Sequence, residues 1–192
     1  MTTIKSKFLN YVKTQFKYTP YELKLISYVL DCTGYEFSKL IILIIIFYLL
    51  GKEKDFLFSF LILIPVRHKS GGLHFNNNIY CFIATLLFFL LAIFSSQVAY
   101  HFTLFVLLYI ISVVIYYIAT PQSSPRRPAP SEILIKKCRI YTLCYILLYP
   151  LLYFCIPFSL FRVGGNTIII QAIQLFIAYT ISAKGGVTYE KP

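Results

Sequence analysis

The chain has 192 residues, 58% of them apolar and only 13% charged, with a mean hydropathy of +0.73. Soluble domains carry about 45–50% apolar and about 25% charged residues, so a soluble globule, a disordered chain and a fibre are excluded and an integral membrane protein remains. The few charges are lopsided, 18 Lys and Arg against 7 Asp and Glu, for a formal net charge of +11.

In chain order, residues 1–35 do not read as a span. Ile4, Phe8, Tyr11, Val12 and Phe16 recur at helical spacing with Lys5, Lys7, Lys13 and Lys17 between them. This pattern predicts one or two amphipathic helices, interrupted near Pro20, lying on an anionic leaflet or folded against the bundle. The membrane domain is expected over 36–192. Its apolar runs are 37–50, 56–66, 80–94, 98–119, 141–161 and 167–182. A perpendicular span needs about 20 residues, with a lower limit near 17. The first two runs fall short, so they either borrow flanking residues or form a re-entrant hairpin. Pro150 and Pro157 should kink or shorten the fifth run. The expected class is therefore all-α: a polytopic protein of about six membrane segments with N-terminal interfacial helices.

The charges orient it. With the N-terminus in the cytoplasm, 15 of the 18 basic residues fall inside, leaving Lys52, Lys54 and Arg162 outside. The positive-inside rule then predicts a multi-pass protein with both termini and two loops, about 67–79 and 120–139, on the cytoplasmic side. The second loop, with Arg126, Arg127 and Pro128, has four prolines within ten residues and should be extended. It reads as a linker, or as a contact surface for an acidic peptide or anionic lipid. Ser131 or Pro130 should cap the helix that follows. Gln171 and Gln174, with Gln97, could hydrogen-bond between helices or subunits, and at this count read as packing glue. The five cysteines form no CxxC pair and no zinc spacing, and the N-terminus lacks the continuous apolar core of a removable signal peptide.

The first loop can carry chemistry: Arg67-His68-Lys69-Ser70-Gly71-Gly72-Leu73-His74-Phe75-Asn76-Asn77-Asn78-Ile79-Tyr80-Cys81. Paired glycines let another backbone approach closely. If Asn77 or Asn78 caps the next helix, Cys81 enters its first turn, where amides and macrodipole favour an anionic sulfur. On one straight helix His74 and Cys81 would sit roughly 10 Å apart along the axis, against the approximately 2.6–3.2 Å of a working base and nucleophile. The segment should therefore bend at or after His74. Three readings follow from the residues alone. One is a Cys–His dyad, another a metal site of His68, His74 and Cys81 short of a fourth ligand, and the third an inert loop and helix.

The run Arg67-x3-Gly71-Gly72-x-His74-x6-Cys81, set between membrane segments of a short basic polytopic chain, resembles the accessory gene regulator protein B (AgrB) family. The amphipathic N-terminus and the basic Arg126-Arg127-Pro128 loop extend the likeness over essentially the whole chain. The family consists of membrane cysteine endopeptidases of bacterial peptide quorum sensing. The resemblance implies cleavage of a short propeptide through a thioester and macrocyclisation of the product. It makes Cys81 the nucleophile and His74 the base, with Arg67, Gly71 and Gly72 supporting and Arg126, Arg127 and Pro128 in the processing loop. It departs from many relatives at Phe75, where they have a small residue. First-turn amides near Cys81 are the candidate oxyanion donors. The implied partners are an amphipathic propeptide with an acidic C-terminal segment, anionic lipid and a second copy in a homodimer, with no nucleic acid, metal or cofactor. The implied location is the bacterial cytoplasmic membrane. The alternative class is a non-enzymatic transporter or scaffold.

Overall fold

A computed structural model describes residues 2–16, 18–73, 77–98, 101–122 and 131–185. Among them are seven α-helices, one 3-10 segment and no named strand, so the all-α class holds. The helices are α1 Thr2–Phe16, α2 Pro20–Leu49, α3 Glu53–Ser70, α4 Asn78–Gln97, α5 Phe102–Ala119, α6 Glu132–Leu148 and α7 Phe158–Gly185, with the 3-10 segment at Tyr149–Phe154. The chain forms two compact units, 1–49 and 50–192.

In the first unit the break expected near Pro20 is present, and its chemistry is a capping box. Thr19 N–H donates to Glu22 Oε2 at 2.8 Å while Glu22 N–H donates to Thr19 Oγ1 at 3.3 Å. Pro20, in the first helical position, lacks an N–H that a helix start would leave unpaired. Along α1, Val12 is buried while Phe8, Tyr11 and Phe16 remain exposed, leaving an aromatic face of the kind an interfacial helix turns to lipid. From Pro20, α2 runs unbroken for 30 residues, a length of about 45 Å. The apolar run 37–50 thus forms the C-terminal part of a longer helix, whose earlier residues include Glu22, Lys24, Asp31 and Glu36. Lys39 is buried within α2, held by Glu36 at 2.7 Å and lying 5.5 Å from the centre of the Tyr35 ring. A buried ammonium is tolerable only with such a partner.

In the second unit α3, α4 and α5 all pack on α7, and α6 lies against α3 and α5. Among the described residues, three helices are long and apolar enough to cross a membrane: α4, α5 and residues Phe158–Ser182 of α7. Three of the six expected segments are thus candidate full-length spans by length and composition among the described residues. Of the apolar stretch in α7, 61% is buried inside the protein, against 28% in α4 and 22% in α5. Small residues explain why α7 takes the centre. A Cβ at Gly164 would overlap the Tyr149 hydroxyl, and one at Gly165 would overlap the Phe105 ring. Without those methyl groups neighbouring helices come close. Hydroxyls then tie the bundle together. Ser59 and Thr167 share a hydrogen bond of 2.6 Å, Tyr116 donates to Ile168 O at 3.1 Å, and Tyr109 donates to Ile146 O at 2.7 Å.

One expected boundary is corrected. The run 141–161 is not a single kinked segment. α6 begins at Glu132, where Ser131 Oγ accepts the Leu134 N–H, and it ends at Leu148. Pro150 is the second residue of the 3-10 segment, and Pro157 ends the turn that follows; Phe161 N–H then donates to Pro157 O at 3.0 Å as α7 starts. The closing helix therefore begins at Phe158, not at 167. Two prolines have parted one apolar run between two helices.

Candidate active site

The chain between Arg67 and Cys81 is not one straight helix. Helix α3 stops at Ser70, and Gly71 adopts φ +77° and ψ −154°, a positive-φ conformation essentially confined to glycine. Gly71 also forms a parallel bridge with Gln122, just past the end of α5, and Gln122 N–H donates to Ser70 O at 2.8 Å. A Cβ at Gly71 would overlap the Gln122 carbonyl oxygen. Two independent reasons therefore require glycine there. The start of the second loop is in turn held by α6, whose Arg139 guanidinium donates to Thr120 O at 3.3 and 3.4 Å.

Helix α7 holds the same segment from the other side. The Gln171 side-chain amide donates from Nε2 to Gly71 O at 2.9 Å, and Arg67 Nη1 approaches Gln174 Oε1 at 3.5 Å. Gly72 is buried between them: a Cβ there would lie 3.3 Å from Gln171 Nε2, 3.6 Å from Gln174 Oε1 and 4.0 Å from Arg67 Nε. Three of the expected supporting residues, Arg67, Gly71 and Gly72, are thus brought together around one extended stretch of chain. Sequence reasoning missed Gln122 as the partner of Gly71 and the Arg139–Thr120 bond behind it, and read Gln171 and Gln174, which could hydrogen-bond between helices, as packing glue. The available signal was two glutamines three apart in an apolar helix, which places both on one face.

Cys81 lies where the loop pattern placed it. Asn77 caps α4, its Oδ1 accepting the Ile79 N–H at 2.8 Å, and Cys81 N–H closes the first helical turn on Asn77 O at 3.1 Å. The Cys81 side chain is half-buried, and Thr85 Oγ1 donates to its carbonyl at 2.8 Å. The expectation of first-turn amides as oxyanion donors narrows here, because those of Ile79 and Cys81 are already engaged. His74, Arg126, Arg127 and Pro128 lie outside the described residues. Among the described residues no three His, Cys, Asp or Glu side chains gather as metal ligands, and His68 is exposed at the end of α3.

The arrangement defines a helical membrane protein with a thiol at the start of one span and a clamped, glycine-paired loop leading to it. The profile described as Accessory gene regulator B matches residues 5–182. The chain belongs to that family. It is 26% identical over 157 residues to a Clostridium beijerinckii protein named as AgrB-like, covering 81% of this chain and 77% of that one. It is 30% identical over 164 residues to an AgrB-like protein 1 of Clostridium perfringens, strain 13 / Type A, covering 82% and 86% respectively. No solved structure matches. Membership ties the chain to the accessory gene regulator system of quorum sensing.

Proposed function

We propose that the protein is a membrane-embedded cysteine endopeptidase that removes the C-terminal part of a short quorum-sensing propeptide. Cys81 attacks the scissile carbonyl, His74 takes the thiol proton and returns it to the departing amine, and the peptide is held as a thioester. Attack by a peptide cysteine or serine on that thioester releases the macrocycle. The observation that carries this reading is the position of Cys81 in the first turn of a capped helix, just after a loop whose preceding residues are clamped. That position sets the sulfur close in sequence to the loop that carries His74, and a half-buried thiol at the end of an apolar span limits the water that would otherwise hydrolyse the thioester. The basic loop through Arg126, Arg127 and Pro128 receives the acidic end of the propeptide by charge attraction.

The test is co-expression with a candidate propeptide, encoded by a short neighbouring reading frame with an amphipathic leader and an acidic tail. Cys81→Ala and His74→Ala should abolish cleavage, read by mass spectrometry. Undiminished cleavage by either variant overturns the dyad. In the membrane, Cys81 should react with iodoacetamide at neutral pH faster than Cys138, Cys144 or Cys155, which are placed on α6 and in the turn before α7. Uniform slow reaction would instead favour a scaffold.

A further inference from the structure

We propose that Gln171 is a positioning residue for the catalytic loop, acting through the carbonyl of Gly71; this rests on the Cys81–His74 reading. Gln171 is completely buried and spends its amide N–H on Gly71 O at 2.9 Å. Its other half is idle: Oε1 is buried with no hydrogen-bond partner among the described residues. A buried acceptor without a donor lowers stability, and an apolar side chain of the same volume would avoid the loss. A residue serving only to pack or to join helices would be expected to satisfy both ends of its amide. Gln171 satisfies one end, and that end holds the loop.

What it holds matters because of chain length. His74 follows Gly71 by three residues, and each residue extends the chain by at most about 3.6 Å. The position of Gly71 therefore limits where the imidazole can go. Without the Gln171 bond, that end would rely on Gln122, which leads directly into the basic loop, and on the Ser70 hydroxyl, which approaches the same carbonyl at 3.2 Å. Helix α7, the most buried span, supplies the rigid reference. Gly72 completes the device, because any side chain there would press on the same Nε2.

The full-length protein in nanodiscs is the right material, with iodoacetamide as the probe, so that no propeptide is needed. Gln171→Met keeps the volume and removes the donor, and Gly72→Ala attacks the same bond from the opposite side. Both should slow alkylation of Cys81 about tenfold or more, toward the rate of His74→Ala, since a positioned base contributes at least that much. The rate at Cys144 and the unfolding midpoint should not fall. His74→Ala combined with Gln171→Met should be no slower than His74→Ala alone. If His74→Ala is slow while Gln171→Met and Gly72→Ala react at the wild-type rate, the proposal falls and the dyad stands. If His74→Ala itself reacts normally, both fall. A lowered midpoint in both variants with faster labelling throughout also overturns the proposal, because Gln171 would then be a packing residue.

Discussion

At the scale of single residues, two glycines with positive φ in the second unit differ in what surrounds them. Gly51 has φ +63° and open space within 4 Å of where a Cβ would stand, whereas Gly71 has φ +77° and faces the Gln122 backbone. Alanine at Gly51 should cost only the left-handed conformation, about 1–2 kcal/mol, and leave processing intact. Alanine at Gly71 adds an overlap with a carbonyl that cannot rotate away. It should break the bridge to Gln122, cost more than Gly51→Ala and abolish propeptide cleavage. Thermal unfolding in detergent together with a cleavage assay checks both. Equal effects in the two variants would show that the Gly71–Gln122 bridge is dispensable. The glycine pair was legible in the sequence because glycine declares an unusual backbone wherever it occurs. Gln171 was not, since its partner lies 100 positions earlier in the chain and no periodicity reveals which loop a buried amide faces.

At the scale of elements, the helices were legible from their apolar runs, and the cap at Ser131 and the break at Pro20 from local chemistry. What the pattern did not show was how an apolar run is divided. Hydropathy is continuous from 141 to 161, yet Pro150 and Pro157 hand the end of that run to α7. The choice is tertiary. Starting α7 at Phe158 places Phe161 against Tyr149, rings 5.4 Å apart, and brings Gly165 under the Phe105 ring. Phe105 is itself fixed between Phe161 at 5.9 Å and Tyr109 at 6.2 Å, so it has little room to turn aside. Gly165→Ala should therefore destabilise the second unit by about 1–3 kcal/mol, the usual range for overpacking. Phe105→Leu in the same chain should recover part of that loss by vacating the space. Unfolding midpoints of the single and double variants measure the coupling. Strict additivity would mean that α5 and α7 do not meet at this pair.

At the scale of the whole molecule, the second unit is a run of antiparallel helices with two chemically distinct ends. One end carries the Gly71–Gln122 bridge and the bonds of Arg139 and Gln171, and Lys69 there lies 5.5 Å from the Tyr141 ring centre, Arg139 5.4 Å from that of Tyr117. The opposite end carries Lys52 beside Asp55 at 3.8 Å, and Arg162, whose guanidinium donates to Val98 O at 2.6 Å. Basic side chains resting on aromatic rings at a span's end suit a membrane–water boundary. The described basic residues of the clamped end, Arg67, Lys69, Lys136, Lys137 and Arg139, outnumber Lys52, Lys54 and Arg162. From that imbalance we propose that the clamped end, and Cys81 with it, faces the cytoplasm, where a newly made propeptide would arrive. Alkaline phosphatase is active only after export, so fusions report the side directly. Fusions after Gln97 and after Phe154 should be active, and fusions after Gln122 and after Ser182 inactive. The reverse pattern would put Cys81 on the outer face, away from the supply of propeptide, and would overturn the processing reading together with the orientation.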